Sequence, residues 1–136
     1  MFENKVYTIF ISHSWAYVED LRSLKKLLES RGYFNVQFEE ATPDVPINSD
    51  NASYIRQRLR QKISNSNIVL GIAGIYASHS EWMQWELNKA IELGVPIVGV
   101  VPRGAERIST VVSTRAKEVV RWNTESIVEA IRTWAN

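Results

Sequence analysis

Short apolar runs alternate with amphipathic stretches along the chain, and that alternation sets the expected fold. Val6 to Ile11 is a β-branched and aromatic run that predicts a first strand, ending at the polar Ser12, His13 and Ser14. Tyr17, Leu21, Leu24, Leu27 and Leu28 then recur at helical spacing as far as Arg31 and Gly32, where glycine supplies the usual helix stop. Phe34 to Phe38 alternates as a second strand. Tyr54, Ile55, Leu59 and Ile63 define a second helix, and Asn67 to Ala73 is a continuous apolar run of the kind buried on both faces of a sheet. A third helix from about Ser80 to Leu93, stopped by Gly94, leads to another buried strand, Val95 to Val101. The order closes with a short helix within Ala105 to Ala116, a short strand from Glu118 to Arg121, and a helix from Thr124 to Trp134. In that last helix Ile127, Val128, Ile131 and Trp134 are expected to face inward.

Strands alternating with helices require crossover connections, which are right-handed, so the expectation is an α/β fold. It has three layers of the flavodoxin-like kind, with about five parallel strands in the middle. In such sheets ligands bind beyond the carboxyl ends of the strands. That rule points to Ser12, His13 and Ser14, to the segment from Gly74 into the third helix, and to the stretch from Glu39 to Asn51. The last is polar, carries Pro43 and Pro46, and is long for a connection, which reads either as the lip of a site or as plain surface irregularity.

A length of 136 residues with 45% hydrophobic content suits one real core, so residues 1–136 are expected to form a single domain. The absence of cysteine excludes disulfides, thiolate metal sites and a Cys nucleophile. No signal-peptide pattern opens the chain and no apolar run approaches the roughly 20 residues that span a bilayer, so a soluble, cytoplasmic protein without membrane attachment is expected. A net charge of +1 offers no global field for DNA, and Arg56, Arg58, Arg60 and Lys62 read as a solvated helix face.

Several sites are missing. A phosphate loop or dinucleotide fingerprint needs glycines after the first strand, where Ser12 to Trp15 has none. A phospho-receiver needs acidic strand ends, and these read Ser-His-Ser and Gly-Ile-Ala-Gly. His13 and His79 are too few for a metal cluster, and His79 reads as a loop residue. No nucleophile elbow surrounds Ser12 or Ser14 beside His13. What remains is the third helix, whose Met83, Leu87, Ala90, Ile91 and Gly94 form one stripe that must face the sheet. Glu86 lies on the border of that stripe, with Trp82 one turn earlier. A carboxylate beside an aromatic platform suits a ribose and a planar base. Helix geometry alone favours an ordinary boundary glutamate bonded to Lys89 or Lys62. Trp85 points away from the stripe, toward a pocket rim, another subunit or solvent.

Phe10-Ile-Ser-His-Ser14 resembles the opening strand and loop of TIR domains. Glu81-Trp-Met-Gln-Trp-Glu-Leu-Asn-Lys-Ala90, followed by Pro96-Ile-Val-Gly-Val100, resembles their third helix and next strand. The likeness runs from about residue 5 to the end. With the Trp122 to Ile127 segment, it most resembles the bacterial branch that includes the signal-producing TIR proteins of Thoeris anti-phage defence. The resemblance implies an NAD glycohydrolase or ADP-ribosyl cyclase in which Glu86 is the catalytic glutamate. Trp82 would then be a pocket aromatic, and Ser12, His13 and Ser14 the substrate-lining first loop. Glu39 to Asn51 would be the mobile loop, carrying Asp44 as a further substrate contact. NAD is implied as substrate with no cofactor, together with a homo-oligomer on activation and an effector that reads a nucleotide product. One departure is Ser14-Trp15, where several NAD-cleaving relatives carry basic residues, so backbone amides or Arg103 are left to hold the pyrophosphate. The alternatives are a non-enzymatic TIR scaffold, a nucleoside deoxyribosyltransferase, and a metal-dependent nuclease using groups such as Asp44 and Asp50.

Overall fold

In a computed structural model, which describes residues 6–37, 47, 49–50, 52–75, 77 and 80–136, the apolar runs become five strands. They are β1 (Tyr7–Ser12), β2 (Phe34–Gln37), β3 (Ile68–Ile72), β4 (Ile97–Val101) and β5 (Glu118–Arg121). All pair in parallel in the order β2-β1-β3-β4-β5, the arrangement expected of right-handed crossovers that switch direction between β1 and β3. The helices between them are α1 (Val18–Arg31), α2 (Ala52–Ser64), α3 (Glu81–Glu92), α4 (Thr110–Ser113) and α5 (Thr124–Trp134). A 3₁₀ turn over Trp15–Tyr17 leads into α1.

Because successive strand residues face opposite sides, the sheet divides the core in two. Ile9, Ile11, Ile68, Leu70, Val98 and Val100 pack under α1 and α5. Phe10, Val69 and Ile97 pack under α2, α3 and α4, with Leu59, Ile63, Met83, Leu87 and Val112. The result is the three-layer α/β fold expected from the pattern. Among the described residues no helix is long and apolar enough to cross a membrane.

Some inward assignments fail. Tyr54 is 63% exposed and lies with its ring 5.2 Å from the Arg58 guanidinium, an amphipathic side chain covering α2 from outside. Ile91 is 54% exposed, because the stripe of α3 rotates toward Glu86. Trp134 is 38% exposed and donates its Nε1–H to Glu118 at 3.0 Å, so it closes an edge of the sheet rather than filling the core. Trp85, placed away from the core by spacing, is half-buried against the α3-side core, with the Lys89 ammonium 5.3 Å from its ring centroid. Phe38, Asp44, His79 and most of the Glu39–Asn51 segment lie outside the described residues.

Candidate functional site

The site is built where β1 ends. Ser12, read as a loop residue, is the last residue of the strand, and alternation from Phe10 puts its side chain on the α3 face. Its register partner on β3 is Gly71, and the partner of Gly71 on β4 is Gly99. This row of small residues across three strands leaves room for the helices. A Cβ at Gly99 would lie 2.9 Å from a Val112 methyl, and one at Gly71 would meet Val112, Leu87 and Met83 at 3.3–3.7 Å. Helices α3 and α4 therefore sit close over the row.

Helix α3 starts where the sequence says it should. The Ser80 hydroxyl accepts from the Met83 N–H at 3.1 Å, and Glu81 lies in the first turn, favourable to the helix dipole. One and a half turns further on, Glu86 reaches the strand end, where Oε1 accepts a hydrogen bond from the Ser12 hydroxyl at 2.7 Å. Glu86 is only 4% exposed. Burial pushes its carboxyl up to about 8, against the opposing pull of the Ser12 hydrogen bond. Neither Lys89 nor Lys62 neutralises it: Lys89 pairs with Glu92 at 2.8 Å, and among the described residues no charged side chain contributes to the Glu86 shift. A buried carboxyl that no cation among the described residues compensates is unfavourable for stability, which makes Glu86 a candidate functional group.

The other expected residues are distributed around this centre. Trp82, one turn before Glu86, is half-buried with its ring 6.4 Å from that of Trp85 and edge-on to it. His13 is partly exposed beside Ser12. Ser14 is buried and shapes the turn: its Oγ accepts from the Ala16 N–H at 3.4 Å and its carbonyl from the Tyr17 N–H at 2.9 Å. Ser12 is wholly enclosed and holds the carboxyl from beneath, while Ser14 holds the loop.

Sequence reasoning passed over a second feature of the strand ends. A cavity of about 480 Å³ lies past β1, β3 and β4, lined among others by Tyr17, Asp20, Ile75, Arg103 and Arg107. Glu86 is not part of its wall, because Tyr17 and Asp20 belong to the α1 side of the sheet. Burial raises the Asp20 carboxyl despite a backbone hydrogen bond and the Arg103 charge that lower it. Arg103, the residue left for pyrophosphate, lies 5.9 Å from the Trp122 ring centroid. Only spatial proximity of three separate loops marks this cavity, which a linear pattern does not carry. Among the described residues no cluster of three or more His, Asp or Glu could hold a metal ion.

A flavodoxin-like sheet with a buried glutamate lowered from its third helix onto the end of β1 fits the resemblance to TIR domains. Residues 10–107 match the family model described as "Thoeris protein ThsB, TIR-like domain", and the chain belongs to that family. It is 31% identical over 89 residues to a Bacillus cereus protein named "Probable 3' cyclic ADP-D-ribose synthase ThsB'". The match takes in 63% of this chain and 44% of that protein, so the chain spans less than half the length of the relative. Among solved structures, a 2-deoxyribosyltransferase from Bacillus psychrosaccharolyticus superposes with a TM-score of 0.66 at 19% identity, over 88% of this chain and 89% of that one. A conserved protein from Enterococcus faecalis gives 0.63 at 13% identity, over 94% and 98%. At these identities the two structures support the fold alone.

Proposed function

We propose that the chain cleaves the nicotinamide–ribose bond of NAD and joins the freed ADP-ribosyl carbon to its own adenosine, giving a cyclic ADP-ribose isomer. In this reading it acts within Thoeris anti-phage defence, where an effector senses the nucleotide. The family membership and the name of the Bacillus cereus relative support the reaction class. The observation that carries it is the buried Glu86 carboxyl, with no cation among the described residues to compensate it, Trp82 one turn before it and Trp85 next to it in the chain.

Each feature has a task in the reaction. The nicotinamide ring of NAD is positively charged, so a carboxyl without a counter-ion among the described residues gains by binding it, and that charge favours the ionised form of Glu86. As the C1′–N bond breaks, its electron pair passes to the ring nitrogen and nicotinamide leaves neutral, needing no general acid. Positive charge moves onto the ribose as an oxocarbenium-like centre, which the Glu86 carboxylate stabilises in a site of low dielectric. Attack by a hydroxyl or ring nitrogen of the adenosine at C1′ closes the cycle and releases one proton; attack by water gives ADP-ribose. Trp82 offers a face for a planar ring. Arg103 and Arg107, on the neighbouring cavity, are the cations available to the pyrophosphate.

The test is nicotinamide release from NAD by the parent and by Glu86→Gln. The amide keeps the shape and loses the charge, so turnover is expected to fall by at least about 10³-fold. Equal turnover by the two proteins contradicts the proposal.

A further inference from the structure

Glutamate has three freely turning side-chain bonds, so a reactive carboxyl on a helix has to be held. Among the described residues Glu86 has one hydrogen bond, from the Ser12 hydroxyl to Oε1. The other oxygen, Oε2, makes none, and it is not sealed in the core either. The only enclosed side-chain nitrogen or oxygen without a partner among the described residues is Trp122 Nε1. The small opening of Glu86 therefore includes Oε2.

We propose that Ser12 is the positioning residue of the site: its hydroxyl clamps Oε1 and leaves Oε2 as the one oxygen presented to the ligand. The inference deepens the NAD-cleavage reading and rests on it for the chemistry, while the clamp itself rests on the geometry. Ser12 is 0% exposed, so it acts through Glu86 rather than on substrate. Its place at the end of β1, opposite Gly71, is fixed by the strand ladder, which makes the hydroxyl a rigid anchor for a mobile side chain. A hydroxyl has one proton to give. With that proton committed to Oε1, the neutral carboxyl carries its own proton on Oε2 and donates it outward; the ionised carboxyl offers the same atom as its free charge.

The test compares Ser12→Ala and Ser12→Thr with the parent in two measurements. The first is a carbon NMR titration of the Glu86 carboxyl, in a protein labelled at the glutamate side chains and assigned with Glu86→Gln. The second is steady-state nicotinamide release, with folding checked by thermal melting. Loss of the donor in Ser12→Ala should move the Glu86 midpoint above its starting value near 8, because the hydrogen bond favours the charged form. It should lower kcat on the order of 10²-fold while KM stays within about threefold. Ser12→Thr, which restores a hydroxyl, should recover most of both. A midpoint unmoved in Ser12→Ala overturns the proposal whatever happens to kcat, and a lowered melting temperature with an unmoved midpoint makes Ser12 only a latch between strand and helix. Retention of the parent kcat by Ser12→Ala overturns it as well. If the parent releases no nicotinamide, the NAD reading fails alone, and the titration still decides the role of Ser12.

Discussion

At the scale of single residues, Glu86 links stability to activity with opposite signs. An unfolded glutamate titrates near 4.5, whereas the native carboxyl holds its proton to about 8. Between those values the native state binds the extra proton, so the Glu86 contribution to stability falls as pH rises and levels off above 8. Relative to Glu86→Gln, the parent should therefore lose a few kcal/mol between pH 5 and 8, measurable as a melting-temperature difference that widens over that window. Activity should run the other way: kcat/KM for NAD should climb through about pH 8 as the free protein ionises, and a profile flat from pH 6 to 9 would contradict the assignment. The glutamate is legible in the sequence because its position on the amphipathic stripe and the motif around it agree. Its partner is not. The donor is 74 residues away in the chain, and the Lys89 that spacing offers instead turns to Glu92.

The elements that carry this site depend on two local features. The Ser80 cap fixes where α3 begins and hence which residue meets the end of β1. Ser80→Ala should cost about 1 kcal/mol in chemical denaturation and lower turnover more than a cap on a remote helix, such as Asn123 of α5, does. Gly99 is the tighter of the two packing glycines, since a methyl group added there would meet Val112 at 2.9 Å and Val119 at 3.1 Å. Gly99→Ala should destabilise by about 1–3 kcal/mol, since both neighbours are β-branched and Val112 is fully enclosed, and a neutral result in the same denaturation assay would contradict the packing. At this scale much can be read from the sequence. The β5 and α5 boundaries match the expectation residue for residue, because charged and turn residues bracket them. The differences are of facing: Tyr54, Ile91 and Trp134 are large and apolar enough to suggest the core, yet all three are exposed, Tyr54 against Arg58 and Trp134 against Glu118. A single-chain pattern also cannot show the Ser12–Gly71–Gly99 row, which exists only after three strands pair.

For the whole molecule, the sheet order puts the direction change between β1 and β3, and the two halves of the strand-end surface have different character. On the α3 side lies a buried carboxyl, and on the α1 side an open cavity with two arginines. A dinucleotide has the same two-part character, a cationic ring on ribose and an anionic pyrophosphate. If the halves serve one ligand, Arg103→Ala should raise KM for NAD by about tenfold and leave KM for nicotinamide riboside, which has no phosphate, within about twofold. The measurement that tests the central claim most directly is chromatography with mass detection of NAD incubated with the concentrated protein and, in parallel, with Glu86→Gln. The account predicts free nicotinamide and a product one water lighter than ADP-ribose from the parent, and intact NAD from the variant. Nicotinamide released equally by both would contradict it.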